Sequence, residues 1–527
     1  MPYLNWVGKE KIVNHHKEVP YCVLERKYSF DSEGEHTEDN GSENMIIHGD
    51  NLLALKSLIV KYDSKIKCIY IDPPYNTGEE KWIYNDNVND PQIKKWLGEV
   101  VGKEGEDMTR HDKWLCMMYP RLVLLRHLLS DDGAIFISID DNELYNLKMI
   151  CDEIFGHDNF ICNFIWEKRL NRENRKEVSS RHDYILCYAK NSFGKNRTLK
   201  LLEMSGEALD RYQNPDNDPR GPWKSDPATA QSGHATLSQF YTLVAPNGNT
   251  FDPPKGRCWL YTESVMKQKI ADNMIWFGVD GNNTPRKKTY LYDKERGLTP
   301  ESILFAQEVS TNEKAKNELK LIFPEEIPFP TPKPRELIKH IISLISDKQS
   351  IILDSFAGSG TTAHSVLDMN FLDKGERKFI LVEMSDYANS ITAERVKRVI
   401  KGYKDNPSLN GSFSYYELGQ SIVKNGFINE CVDLELIRQY IFYSETKSSL
   451  PHINNKSEFY LGKFNDCAYY FYYKRGQETV LNEDTFSLLK EESDWHVVYA
   501  DVCVLSKEQL QSMRVTFKKI PRDIIHV

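Results

Sequence analysis

Lys67-Cys-Ile-Tyr-Ile-Asp72-Pro-Pro-Tyr75-Asn-Thr-Gly78 is the stretch on which the rest of the chain turns. Its first half, apolar and β-branched, reads as a buried strand, and Asp72, Pro73, Pro74 and Tyr75 read as a rigid polar turn at the end of it. Two consecutive prolines fix their own φ angles and push the residue before them toward an extended conformation. The Asp72 carboxylate and the Pro73 carbonyl are thereby held beyond the strand's carboxyl end, where an open α/β sheet takes its ligands. Two acceptors aimed at one point, beside the face of Tyr75, match an exocyclic amino group on a flat ring, which offers two N–H donors and a π face.

Upstream, Met45-Ile-Ile-His48 reads as a short strand ending at Gly49-Asp50-Asn51, with Asp50 placed as the N-cap of a helix that carries Leu52, Leu55, Leu58 and Ile59. Downstream, residues 78–112 are polar and aperiodic, with Trp82, Tyr84 and Trp96 among charges. They read as a long loop over the site, whose aromatics either stack on a nucleotide or pin the loop down. Apolar residues recur at helical intervals over 114–129, Ser130-Asp-Asp-Gly133 ends that helix, and residues 134–140 form a continuous apolar strand. Asp140, Asp141 and Asn142 then cap a helix running to Phe155. This alternation predicts a doubly wound, mostly parallel α/β sheet. Residues 160–167 and 184–189 read as two further strands with an antiparallel edge.

The second glycine-bearing turn lies far along the chain. Ile351-Ile-Leu-Asp354 is a short buried strand running into Ser355-Phe356-Ala357-Gly358-Ser359-Gly360 and then a helix from Thr361. Glycines at a strand-to-helix turn let the backbone approach a ligand closely, a device shared by dinucleotide sites and phosphate loops. The absence of a Gly-Lys-Ser/Thr ending disfavours a nucleoside triphosphate. Asp354 just before the loop suits a cationic group better than a pyrophosphate. Glu383, at the end of the next strand, is spaced to take both hydroxyls of a ribose, which fits NAD equally well. Phe329-Pro-Thr331-Pro-Lys333-Pro precedes a helix with Leu337, Ile338, Ile341, Ile342 and Ile345.

Composition bounds the class. The chain has 527 residues, 40% hydrophobic and 28% charged, enough for two to four globular domains. Its apolar stretches are too short and interrupted to cross a bilayer, and its start lacks the basic-then-apolar pattern of a secretory signal, so a cytoplasmic location is expected. Ten scattered cysteines with no Cys-x-x-Cys predict reduced thiols and no metal site. The net charge of −9 is unevenly spread. Acid gathers at 31–43, which reads as a mobile solvated loop. Base gathers at Lys168, Arg169, Arg172, Arg175, Lys176 and Arg181. Such a run is often just a solvated face, but next to a base-gripping turn it is expected to contact phosphates. Residues 201–326 are irregular and rich in Pro, Gly, Asn and Trp. Their Arg220, Arg257, Arg286 and Lys287 suit guanine edges or phosphates.

Asp72-Pro-Pro-Tyr75 resembles the catalytic motif of the amino-methylating DNA methyltransferases, and Asp354-Ser-Phe-Ala-Gly-Ser-Gly360 resembles their S-adenosylmethionine loop. The order, catalytic motif first, is similar to the β class. With Ile47-His-Gly-Asp-Asn-Leu-Leu-Ala-Leu-Lys-Ser-Leu58 in front, the longer match resembles the modification (Mod) subunit of type III restriction-modification systems.

The resemblance implies transfer of a methyl group from S-adenosylmethionine to the N6 amine of adenine in duplex DNA by base flipping, without a metal. It assigns Asp72, Pro73, Pro74 and Tyr75 to the catalytic turn, and Asp50 and Asn51 to the adenine end of the cofactor. Thr331 and Lys333 go to its methionine end, and Asp354, Phe356, Ala357, Gly358, Ser359, Gly360, Thr361 and Glu383 to the remaining cofactor contacts. It divides the chain into an N-terminal extension (1–44), a catalytic half (45–200), a target-recognition insertion (201–326), a cofactor half (327–404) and a C-terminal pairing module (413–527). A homodimer is expected, with a separate helicase-nuclease restriction subunit or as an orphan enzyme. Cytosine N4 methylation, RNA as substrate, and a non-catalytic DNA-recognition subunit remain as alternatives.

Overall fold

Ile66–Ile71 and Ile351–Asp354 run side by side in parallel, Ile352 opposite Cys68 and Leu353 opposite Ile69, although almost three hundred residues separate them in sequence. The structure is a computed structural model describing residues 3–77, 95, 98–101, 109–173, 177–192, 197–204, 206–293, 297–325, 328–424, 427–448, 450–451, 458–487 and 493–525. The polar loop expected at 78–112 therefore lies mostly outside the described residues, as do Trp82, Tyr84, Trp96, Arg175 and Lys176.

The two strands occupy the middle of an eleven-stranded sheet. From one edge its order is Ile303–Leu304, Phe160–Glu167, His182–Ala189, Leu129–Ile139, Ile66–Ile71, Ile351–Asp354, Lys378–Glu383, Met45–His48, Phe413–Ser421, Cys22–Phe30 and Glu35–His36. Six consecutive strands, from Leu129–Ile139 to Phe413–Ser421, are parallel. Both faces of such a block must be covered, and its strands are accordingly apolar throughout, with Ile69, Ile71, Ile135, Ile137, Leu353, Ile380 and Val382 all buried. After Ile66–Ile71 the chain passes through helix Arg110–Leu128 to Leu129–Ile139 on one side. After Ile351–Asp354 it passes through helix Thr361–Asp373 to Lys378–Glu383 on the other side. Connections that diverge from adjacent parallel strands leave a crevice at their carboxyl ends, the switch point where doubly wound sheets bind ligands.

Three expectations are corrected. Residues 1–44 are no peripheral extension, because Cys22–Phe30 is a strand of the main sheet, antiparallel to Phe413–Ser421. The acidic run 31–43 is partly ordered: Glu35–His36 pairs with Ser29 and Phe30, and Asp31 accepts a hydrogen bond from the Glu33 amide and lies 2.9 Å from His36 Nε2. Backbone pairing outweighs the low hydrophobicity that marked the segment as a loop. Ser130 to Gly133 likewise continue into strand Leu129–Ile139 instead of ending the helix as a turn.

Residues 200–300 form a second compact unit, and 301–325, expected with it, belong to the main body. There Ile303–Leu304 adds the edge strand, and Glu318 of helix Asn312–Ile322 ion-pairs with Arg335 and Arg395. The second unit is built from short strands, among them Trp223–Pro227, Arg286–Tyr290 and Ile275–Trp276 in one sheet, around Leu243, Trp259, Met266, Ile275 and Phe277. Residues 458–525 carry a four-stranded sheet that begins with the aromatic strands Tyr460–Phe464 and Cys467–Phe471. Tyr440 and Ile441 of helix Leu434–Thr446 pack with Tyr469, Phe471 and Val497 of that sheet, and with Tyr21 and Val23 from the start of the chain. Among the described residues no helix is long and apolar enough to cross a membrane.

Gly49 closes strand Met45–His48 with φ +143°, and a Cβ there would lie 2.4 Å from Leu418 Cδ1. Gly49→Ala is therefore expected to destabilise the chain by about 2 kcal/mol, read as a lower midpoint in chemical denaturation.

Candidate active site

The Asp72 turn is braced from behind. Trp114, fully buried in helix Arg110–Leu128, donates its Nε1–H to the Pro74 carbonyl at 2.6 Å. Asn76 sits in the left-handed region (φ 57°), and its side-chain amide donates to the Arg110 carbonyl at 3.2 Å and to Glu143 Oε1. Glu143 has no exposed surface. It also meets His111 Nδ1 at 2.6 Å and accepts from Asn146 Nδ2 at 2.8 Å. Two helix starts and two prolines thus hold Pro73, Pro74 and Tyr75 in place, and Asp72 points into the crevice with 12% of its side chain exposed.

Across the crevice, the glycine loop is shaped by its own acids. Asp354 Oδ1 accepts the Phe356 amide at 3.0 Å and Oδ2 accepts the Thr362 hydroxyl at 2.5 Å. Glu383 accepts the Gly358 amide at 2.8 Å and the Ser385 amide at 2.9 Å. At Gly360, φ +77°, a Cβ would stand 3.0 Å from the Thr392 carbonyl, so the turn favours glycine there. Asn51 ties this loop to the other half, donating to the Ser355 carbonyl at 3.0 Å and accepting from Arg121 Nε at 2.5 Å. Asp50 caps helix Asn51–Tyr62, accepting the Leu52 amide at 2.7 Å, and stands 3.6 Å from Arg121. One cleft is lined jointly by Asp72, Thr331, Lys333, Asp354, Phe356 and Ala357.

The electrostatics are set by burial. Desolvation pushes the Asp354 and Glu383 carboxyls each up to about 7, so both are poised to ionise when a cation comes near, and it raises Asp183 to about 6 against the pull of Lys168. Burial, with the Asp72 charge second, raises the Tyr75 hydroxyl far above its ordinary range and keeps it neutral.

Two groups of residues carry ion pairs that the sequence did not foretell. Lys333, expected at a cofactor's methionine end, lines the cleft shared with the glycine loop and ion-pairs with Asp72 at 2.5 Å. Much of the basic cluster is neutralised internally, because the strands Phe160–Glu167 and His182–Ala189 bring acids across from it. Lys168 pairs with buried Asp183 at 2.6 Å, Arg169 with Glu173 and the Ser180 carbonyl, and Arg181 with Glu167, while Arg172 is exposed. In the second unit Arg220 grips Asp218 through two nitrogens and lies over the Tyr290 ring, Arg257 bonds Thr229, Arg286 bonds Ser225, and Lys287 is half-buried. Sequence reasoning missed Trp114, Asn76, Glu143 and Asp183. Asn76 adjoins the motif and was within reach, whereas Glu143 carries no signal besides its position at a helix start.

A family model described as DNA methylase matches residues 66–394, and the chain belongs to that family. Among its relatives is the StyLTI Mod subunit, from a type III restriction-modification enzyme of Salmonella typhimurium. It is 35% identical over 409 residues, covering 72% of this chain and 60% of the relative. The corresponding EcoP15I Mod subunit of Escherichia coli is 31% identical, covering 73% of this chain and 64% of its own length. The type II methyltransferase M.KpnI of Klebsiella pneumoniae is 32% identical, covering 66% and 81%. The chain thus spans less than two thirds of the length of those two Mod subunits.

Glu143→Ala should cost about 3 kcal/mol of stability in a denaturation experiment, because it strands the buried Asn76 amide. Glu143→Gln, which keeps an acceptor, should cost less.

Proposed function

We propose that this chain transfers a methyl group from S-adenosylmethionine to the N6 amine of adenine in duplex DNA. The observation that carries the reading is the parallel pairing of Ile66–Ile71 with Ile351–Asp354, through which the Asp72 turn and the glycine loop share one cleft. The cleft's donor set fits the cofactor: buried carboxyls with raised proton affinity favour a cationic sulfonium and amine over a pyrophosphate. Glu383, bonded to the Gly358 amide, is the candidate for the ribose hydroxyls, Asp354 and the 356–361 backbone for the cradle, and Asp50 and Asn51, the latter bonded to the Ser355 carbonyl, for the adenine end. Thr331 is the candidate contact at the methionine end.

When bound, S-adenosylmethionine supplies an electrophilic methyl group. The chain's own residues make the nucleophile. Adenine's N6 lone pair is delocalised into the ring. Asp72 and the Pro73 carbonyl accept its two hydrogens, draw the nitrogen toward tetrahedral geometry and localise the pair, while Tyr75 stacks on the base; as the N–CH3 bond forms and the S–CH3 bond breaks, the nitrogen's surplus proton passes to the Asp72 carboxylate. The gain is positioning and electrostatics, without a covalent enzyme intermediate. Because N6 lies inside the duplex stack, the base is flipped out, at a cost of a few kcal/mol met by stacking and pocket hydrogen bonds. Arg172, Lys287 and neighbouring cations of the basic segments are candidates for phosphate and base contacts. Likeness to two Mod subunits supports a further reading, in which the chain acts in the cytoplasm as the modification component of a restriction-modification system, self-associated as a dimer and paired with a restriction subunit.

Asp72→Ala is expected to lower methyl transfer about a thousandfold or more while leaving S-adenosylmethionine binding intact, measured with labelled cofactor and by calorimetry. Nucleosides digested from DNA treated with the parent protein should contain N6-methyladenine. N4-methylcytosine in its place, or parental turnover by Asp72→Ala, would overturn the reading.

The buried carboxyls also set a pH dependence. With folded-state values near 7, Asp354 and Glu383 hold protons that the unfolded chain has already released near pH 4.5. Their burial therefore costs the free protein more stability as pH rises toward 7. A cationic ligand favours the ionised forms, so S-adenosylmethionine affinity should tighten between about pH 6 and pH 8 with proton release. Titration calorimetry in buffers of differing ionisation heat measures both effects.

A further inference from the structure

The crevice already contains one ammonium in the position where an amine is to be gripped. Lys333 Nζ lies 2.5 Å from Asp72 Oδ2 and 5.1 Å from the centre of the Tyr75 ring, so it meets a carboxylate and an aromatic face together. Both partners of the pair are largely buried, Lys333 at 7% and Asp72 at 12% side-chain exposure. A second lysine–aspartate pair, Lys168 with Asp183 at 2.6 Å, is near enough for the Lys333 charge to act on the Asp183 carboxyl. Asp183 comes from a strand that runs antiparallel to its neighbour Leu129–Ile139, which brings this acid to the same edge of the sheet as Asp72.

We propose that Lys333 is a resident stand-in for the target amine, holding Asp72 until an extruded base displaces it, and that Asp183 receives the displaced ammonium. The inference rests on the methyltransferase reading above. A buried carboxylate is poorly tolerated without a cation, and Lys333 supplies one while no base is present. A lysine suits an occupant that must leave: its ammonium is a compact point charge on a flexible four-carbon stem, whereas an arginine fork would hold both carboxylate oxygens. Asp183, at the same end of the sheet and already under the influence of the Lys333 charge, gives the ammonium a second anionic partner. Lys333 acts through Asp72 and touches none of the reacting atoms, which makes it a positioning residue that delays occupation of the pocket by anything weaker than a correctly presented amine.

The test uses the full chain and a duplex containing its recognition site, mapped by sequencing methylated DNA from expressing cells. A 2-aminopurine next to the target adenine reports loss of stacking when that adenine leaves the helix. Lys333→Gln should raise this fluorescence at least threefold without cofactor and lower KM for the duplex by a similar factor. Lys333→Arg should hold fluorescence at or below the parental level. In an Asp72→Asn background, Lys333→Gln should add nothing, since the carboxylate it competes for is gone.

Unchanged or reduced flipping in Lys333→Gln, or an equal rise in the Asp72→Asn background, overturns the proposal. If Lys333→Gln does not fold, Lys333→Arg decides: increased flipping overturns the proposal, and flipping at or below the parental level supports it. A parent protein that neither methylates nor flips DNA removes the methyltransferase reading itself, an outcome separate from failure of the lysine exchange alone.

Discussion

One edge of the sheet gathers carboxyl groups that have been taken out of water. Asp140, Asp183, Asp72, Asp354 and Glu383 come from five strands or the turns that follow them, and the antiparallel strand His182–Ala189 joins the set because its amino end lies at that edge. Burial penalises each negative charge, so the arrangement persists through specific partners: backbone amides for Glu383 and Asp354, lysines for Asp183 and Asp72. The site is consequently a receptor for positive charge and for N–H donors, and the rest of the structure serves to keep these acids at one end of the sheet with a partner for each.

Rigidity around this edge comes from both halves of the chain. Trp114 and Glu143 clamp the Pro-Pro-Tyr turn, while Asp354 and Glu383 clamp the glycine loop by bonding its own amides. Asn51 then bridges the halves by joining the Ser355 carbonyl to Arg121. A group-transfer site gains most when donor and acceptor are held at fixed separation, because orientation is then settled before the reactants meet. The crevice meets that condition through a hydrogen-bonded frame whose members come from residues 50 to 383.

The charge pattern separates two uses of basic residues. Arg169, Arg181 and Arg220 are engaged by nearby acids or carbonyls and stabilise local loops, and Lys168 closes a buried pair at the site. A chain with net charge −9 can still present a local cationic surface to nucleic acid, but a count of lysines and arginines overstates it when the fold brings acids opposite them.

The central strands, their helices and both functional turns were legible in the sequence, because short buried parallel strands are apolar throughout, and prolines and glycines mark strand ends through their φ restrictions. Those marks singled out Asp72, Tyr75, Asp354 and Glu383, and the family resemblance supplied their expected roles. Tertiary structure was needed wherever the partner lies far along the chain. Cys22–Phe30 entered the sheet by pairing with Phe413–Ser421, a strand that begins 383 residues after Phe30. Glu143 became the anchor of the turn, and Lys333 met Asp72 across the cleft. Local composition sets which backbone conformations a segment prefers, but the pairing of a buried charge depends on which groups the completed topology brings within a few ångströms, and the topology is a property of the whole chain.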